Sequence, residues 1–177
     1  MRMLPPGDSM DLLRTLTSAL AHYDPDVSDQ SPQANYRKAV RLTAQIGSLV
    51  ATMGRFNAGG GPVQPDPAYG HAANFLYMLT GERPNSLAVR AFDIALVLHA
   101  DHELNASTFA ARIVASTLSD MFSAITAAIA ALKGPLHGGA NEESMKMLEE
   151  VGSPERAEAY VRDRLERHEK VMGFGHA

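Results

Sequence analysis

Lys133-Gly134-Pro135-Leu136-His137-Gly138-Gly139-Ala140-Asn141-Glu142 separates two stretches of helix-forming sequence. Before it lies an Ala-rich, uncharged segment, Met121 to Leu132, and after it a charged amphipathic one, Ala140 to Val151. Gly134 and Pro135 break the first helix. Asn141, Glu142 and Glu143 fall in the first turn of the second, and Lys146 follows Glu142 at helical spacing. His137 is therefore expected at or just before a helix N-terminus, where the positive end of the helix dipole favours a neutral imidazole. Such an imidazole can donate a hydrogen bond to a developing oxyanion without first losing a charge. Gly138 and Gly139 let backbone come close to whatever His137 faces.

Working outward, the same helical period continues in both directions. Asp8 or Ser9 is placed to cap a helix to about residue 22, with Leu12, Leu13, Leu16 and Leu20 on one face. A polar loop over 24–32 precedes a second helix over about 33–55, striped by Ala39, Leu42, Ile46, Leu49, Val50 and Met53. Gly47 and Ser48 are small, so another helix can approach closely there. A Gly/Pro loop over 57–67 leads to helices over about 68–80, 86–99, 107–119 and 121–132. Beyond 140–151, Gly152 ends the helix, Ser153-Pro154 reads as a cap and first turn, and a last helix runs to about 169. No stretch alternates with period two, so the fold class is all-α. Nine alanines between Ala106 and Ala131 favour close helix–helix approach, either in a helical core or across a subunit interface.

Composition narrows the function. The 177 residues fit one ordinary domain or a piece of a larger one. A net charge of −4 argues against a nucleic-acid surface. Without cysteine there are neither disulfides nor thiolate metal sites. The first residues, Met1-Arg2-Met3-Leu4-Pro5-Pro6-Gly7, lack the apolar core of a signal peptide, and no apolar run reaches the ~20 residues of a membrane span. A soluble, cytoplasmic protein with no membrane partner is expected.

Two further segments carry histidines: His99-Ala100-Asp101-His102-Glu103-Leu104-Asn105-Ala106-Ser107-Thr108, and Met172-Gly173-Phe174-Gly175-His176. His99 and His102 share a helix face. Metal ligation is one reading, but the His-Glu-x-x-His spacing of helical zinc sites is absent and no third ligand is evident locally. His102 and Asn105 as polar donors to an anionic or carbonyl ligand is a second, and a satisfied core pair a third. Phe174 between glycines is suited to lie against a flat ligand, or is only a turn. Histidines on loops and helix ends, without cysteine or Gly-x-Ser-x-Gly, favour general-acid or electrophilic catalysis over covalent catalysis.

These segments, in this order and spacing, resemble the citrate synthase family, as do Met10-Asp11-Leu12-Leu13-Arg14 and Ala73-Asn74-Phe75-Leu76-Tyr77-Met78-Leu79. The resemblance covers nearly the whole chain. It implies a multi-helix, all-α citrate-synthase-like fold and condensation of acetyl-CoA with oxaloacetate to citrate and CoA, with no cofactor and no metal. By the family pattern, His137 hydrogen-bonds the thioester carbonyl and stabilises its enol or enolate. His176 donates to the oxaloacetate carbonyl, and His102 binds oxaloacetate, with His99 beside it. Asn105 and Ser107 resemble residues that support these histidines. Val171, Met172, Gly173, Phe174 and Gly175 resemble the loop that holds the CoA adenine. The resemblance also implies a homodimer through close-packed antiparallel helices, here about 9–22, 33–55, 121–132 and 140–151. It implies a large helical domain over 1–136 and the incomplete start of a smaller one over 137–177.

The family pattern continues beyond the histidine matching His176, and that continuation carries the catalytic aspartate and substrate-binding arginines. The chain is accordingly expected to be an internal piece of a citrate synthase, exposing apolar surface. 2-Methylcitrate synthase, using propionyl-CoA, is the neighbouring reading, and a non-catalytic dimerising helical protein the one from another class. A metal-dependent hydrolase is a poor fourth.

Overall fold

The computed structural model describes residues 7–100 and 103–174, and all regular structure among them is helical. The helices are α1 (Ser9–Leu20), α2 (Pro32–Asn57), α3 (His71–Thr80), α4 (Ser86–His99), α5 (Ala106–Ser116), α6 (Met121–Leu132), α7 (Gly139–Val151) and α8 (Ala157–Glu166). Short 3-10 turns cover Ala21–Tyr23 and Pro154–Arg156. The chain divides into two compact units, 1–130 and 131–177.

In the first unit the capping chemistry is local. The Asp8 carboxylate accepts from the Met10 and Asp11 amides at 2.8 and 3.2 Å, and Ser31 Oγ accepts from Ala34 at 3.3 Å with Pro32 in the first turn of α2. Leu13 of α1, Met53 of α2 and Ile129 of α6 form the core, with Leu12, Leu16, Ile46, Leu49 and Val50 packed against it. Most of each predicted stripe in the first two helices faces one core, while Leu20, Ala39 and Leu42 lie outside that cluster.

α3 is the helix that meets α2 near Gly47, where the contact is an ordinary one, and it approaches closely at Gly54 instead. A Cβ added at Gly47 would lie 3.6 Å from His71 Cε1, and one at Gly54 would lie 2.5 Å from Leu79 Cδ1. Arg55 ties the same corner, donating to the Gly61 and Thr80 carbonyls at 2.7 Å each. The stacked rings of Phe75 and Phe92, with centroids 4.7 Å apart, then join α3 to α4.

The polar loop over 24–31 is bound down rather than free. Asp24 is buried and receives both Arg41 Nε and Nη2 at 2.7 Å. Asp26 pairs with Arg37 and Arg41, and the fully buried Lys38 donates to the Asp29 carbonyl at 2.6 Å. The guanidinium hydrogen bonds hold both carboxyls below their ordinary range, Arg41 acting on Asp24 and Arg37 first on Asp26.

Three helix limits differ from the sequence expectation. The third helix begins at His71 rather than 68, because residues 66–69 form a turn in which Asp66 and Asn74 exchange hydrogen bonds at 3.0 and 2.9 Å. The fifth ends at Ser116 rather than 119, because Leu118 takes a left-handed φ of +64°. The last helix starts in a 3-10 turn that Ser153 does not cap and ends at Glu166 rather than 169, where His168 has φ +57°.

In the second unit, Gly152 (φ +71°) closes α7 by donating to the Leu148 carbonyl at 2.9 Å. Glu150 accepts from Tyr160 Oη at 2.8 Å and from Arg164 at 3.0 Å, connecting α7 to α8.

Candidate active site

The sites predicted from sequence fall into both units. In the first unit, His99 is the last residue of α4, and its Nδ1 donates to the Ala95 carbonyl at 2.6 Å. That bond sets the ring's tautomer and leaves Nε2 as the opposite edge. His102 lies outside the described residues. Glu103 beside it adopts φ +50°, a conformation that costs a non-glycine residue energy and that clusters at sites where geometry outranks comfort.

Asn105 and Ser107 have definite local partners. Asn105 Oδ1 accepts from the Thr108 amide at 3.0 Å and so caps α5. Ser107 Oγ donates to the Ala128 carbonyl at 2.9 Å, fastening the first turn of α5 to α6. Together these bonds fix where the 99–105 segment ends.

In the second unit, the 133–141 turn is tightly closed. The His137 amide donates to the Gly134 carbonyl at 3.0 Å, the Gly138 amide to the Leu132 carbonyl at 3.0 Å, and the Ala140 amide to the His137 carbonyl at 3.2 Å. A Cβ at Gly138 would collide with the Leu132 carbonyl, so this position requires glycine. His137 is half-buried and lies two residues before the start of α7, just ahead of its N-cap Gly138, as its sequence context implied.

The 171–174 segment turns beside the same helix. The Phe174 amide donates to the Val171 carbonyl at 3.3 Å, and Gly173 takes φ +86°. A Cβ at Gly173 would lie 3.8 Å from Ser144 Oγ, one α7 turn beyond Ala140, whose carbonyl that hydroxyl bonds at 2.9 Å. Val171 and Met172 are half-buried, and the Phe174 ring is 79% exposed, available to a ligand face. Thus His137 leads into α7, and the 171–174 turn lies beside that helix. Gly175 and His176 lie outside the described residues. Among the described residues, no group of three or more His, Cys, Asp or Glu side chains is arranged to hold a metal ion.

The chain matches the family described as "Citrate synthase, C-terminal domain" over residues 1–177. The chain belongs to the citrate synthase family. It is 58% identical over 167 residues to "Citrate synthase 2" of Bacillus subtilis, covering 94% of this chain and 45% of that protein. It is 48% identical over 167 residues to a 2-methylcitrate synthase of Mycobacterium tuberculosis, covering 94% of this chain and 42% of that one. Among solved structures, the citrate synthase of Pyrobaculum aerophilum superposes with a TM-score of 0.83 at 45% identity, over 95% of this chain and 44% of that one. The citrate synthase of Thermoplasma acidophilum, in a ternary complex with carboxymethyl coenzyme A and oxaloacetate, superposes with a TM-score of 0.78 at 33% identity, over 99% of this chain and 46% of that one. The chain thus spans a little under half the length of the citrate synthases it matches.

The sequence reading missed the Asp24, Asp26, Arg37, Arg41 and Lys38 cluster and the Arg55 clamp. The spacing signal was present, since Arg37 and Arg41 stand one helical turn apart and Asp24 and Asp26 are separated by one residue.

Proposed function

We propose that this chain serves a citrate synthase, joining the acetyl-CoA methyl carbon to the oxaloacetate carbonyl carbon and releasing citrate and CoA. The observation that supports this most is the placement of His137 just before α7 and of the 171–174 turn beside Ser144 of that helix, in a chain that matches the family over residues 1–177. In this reading a base removes a methyl proton while His137 donates to the thioester oxygen, where the enolate charge develops. The new carbon–carbon bond forms at the oxaloacetate carbonyl. Its oxygen is protonated by His176, while His102 binds the substrate. Water then cleaves the thioester, and the CoA thiol leaves.

The remaining assignments follow the same reading. The segment Val171 to Gly175 holds the CoA adenine, and Asn105, Ser107 and His99 position the histidine segment. No carboxylate of the histidine motifs is assigned the base role. The enzyme works as a cytoplasmic homodimer through helices near 9–22, 33–55, 121–132 and 140–151. The division of the chain at residues 130 and 131 supports a change of domain just before His137. 2-Methylcitrate formation from propionyl-CoA is the alternative reading, and relatives named 2-methylcitrate synthase (48% identical) and citrate/2-methylcitrate synthase (47%) keep it in view. One extra methylene is discriminated by only about 1–3 kcal/mol.

The test is CoA-thiol release with oxaloacetate and acetyl-CoA, by the full-length polypeptide and by its His137→Ala variant. Loss of at least ~10²-fold in turnover is expected, in the range of removing one oxyanion donor. Near-normal turnover would remove His137 from the reaction.

A further inference from the structure

The first residues of α3 and of α4 line one open cleft of about 860 Å³ in the first unit. None of the histidine-segment residues lines it. Arg83 and Arg90 do, together with Tyr69, His71, Ser86 and Asp93. By contrast, Arg37 and Arg41 hold carboxylates, and Arg55 holds two carbonyls. Arg83 and Arg90 make no ion pair or side-chain hydrogen bond among the described residues, although Asp93 lies one turn from Arg90. Against the two guanidinium groups the lining carries one carboxylate, Asp93, so its side chains leave a net positive charge that an anion offsets.

The two helix starts are not equivalent. Asn85 Oδ1 accepts from the Ala88 amide at 2.8 Å and so caps α4. α3 starts at Gly70 with no side-chain cap, and Gly70, His71, Ala72 and Ala73 all line the cleft. The α3 amides add to what the arginine pair already offers. Pro84 and Val89 supply an apolar wall.

We propose that this cleft binds a phosphomonoester, with its phosphate on Arg83 and Arg90 and its organic body against Pro84 and Val89. The three terminal oxygens of a phosphomonoester accept both forks and an amide besides, and its charge of nearly −2 matches two guanidinium groups, which one carboxylate does not. The volume lies within the few hundred to about 1,000 Å³ usual for small-molecule sites and exceeds what a bare ion needs. Asp93 is an acceptor suited to a ligand hydroxyl, and it disfavours a second anionic group on its side. This site is separate from the condensation chemistry proposed above.

The experiment is calorimetric titration of the full-length polypeptide, free of acyl-CoA, with phenyl phosphate and with inorganic phosphate. Phenyl phosphate is expected to bind saturably at one site per chain, and more tightly than inorganic phosphate. The double variant Arg83→Gln/Arg90→Gln should weaken it at least about tenfold, the effect of losing charge-assisted forks. Arg112→Gln, which removes an exposed arginine outside the cleft, should leave binding unchanged, with circular dichroism checking that each variant is folded. Equal affinity for the two probes would overturn the organic ligand. Absence of saturable binding, or binding indifferent to the double variant, would overturn the site. Neither result bears on CoA-thiol release, so this inference and the condensation reading fail separately.

Discussion

α2 and α4 are both helices of the first unit, yet they are held in opposite ways. α2 buries Ala34, Lys38, Leu42, Ala51 and Met53, including a lysine with no accessible surface. α4 is the more apolar by sequence and buries no residue at all, leaving Leu87, Val97 and Leu98 at 77, 67 and 73% exposure. Apolar content therefore does not decide burial here; the presence of a packing partner does. α4 ends at His99, so one of the histidine segments emerges from the less supported helix. An unpartnered apolar face of this kind marks a surface that contacts something else.

The contrast can be broken by substitution, with the largest effect in the core. Phe122→Ala empties a site that is 1% exposed in α6 and should cost about 3–5 kcal/mol in denaturant unfolding. Met53→Ala in α2 should follow at about 2–4 kcal/mol. If Leu98→Ala on α4 matched either one, the two helices would not differ as described; it is expected within about 0.5 kcal/mol.

The ionic clasp on α2 gives a pH-dependent version of the same comparison. Asp24 and Asp26 titrate lower folded than unfolded, so their contribution is present above the unfolded value near 4 and is lost as pH falls through the folded values. Arg41→Met should therefore narrow the stability gap to wild type as solutions are acidified. It should also speed amide exchange over 24–31 at neutral pH while leaving α4 unchanged. A gap independent of pH would show that Arg41 acts by packing alone.

The smallest expected effect is favourable. Leu118 is 84% exposed at φ +64°, so Leu118→Gly should raise stability by up to about 1 kcal/mol in thermal unfolding. A loss would mean that the side chain is covered in solution.

Much of this fold was legible from residue patterns. Of the two predicted stripes, Leu12, Leu13 and Leu16 and Ile46, Leu49, Val50 and Met53 face one core, and Gly47 lies at a helix contact, because both follow from helical period and residue size. The break at Leu118 was not legible, since leucine rarely takes φ > 0, and the one at His168 only weakly, since histidine takes it more often but still in a minority of cases. At the candidate site, the glycine next to His137 and the turn before α7 were readable from Gly-Pro and Gly-Gly. The tie of Asn105 to the start of α5 and of Ser107 to Ala128 was not readable as such, because a side chain's choice among hydrogen-bond partners depends on which backbone comes near.

The amino-acid sequence by itself determined the helical class, the order of the elements, the family and the three histidine segments, since these rest on periodicity, turn chemistry and local motifs. Tertiary structure alone decided that Lys38 is buried against the Asp29 carbonyl, that Arg41 closes the 24–31 loop, that α3 rather than another helix meets Gly54, and that 171–174 turns beside Ser144 of α7. Those contacts join residues distant in the chain, and their free energies depend on desolvation and fit, which no local pattern encodes.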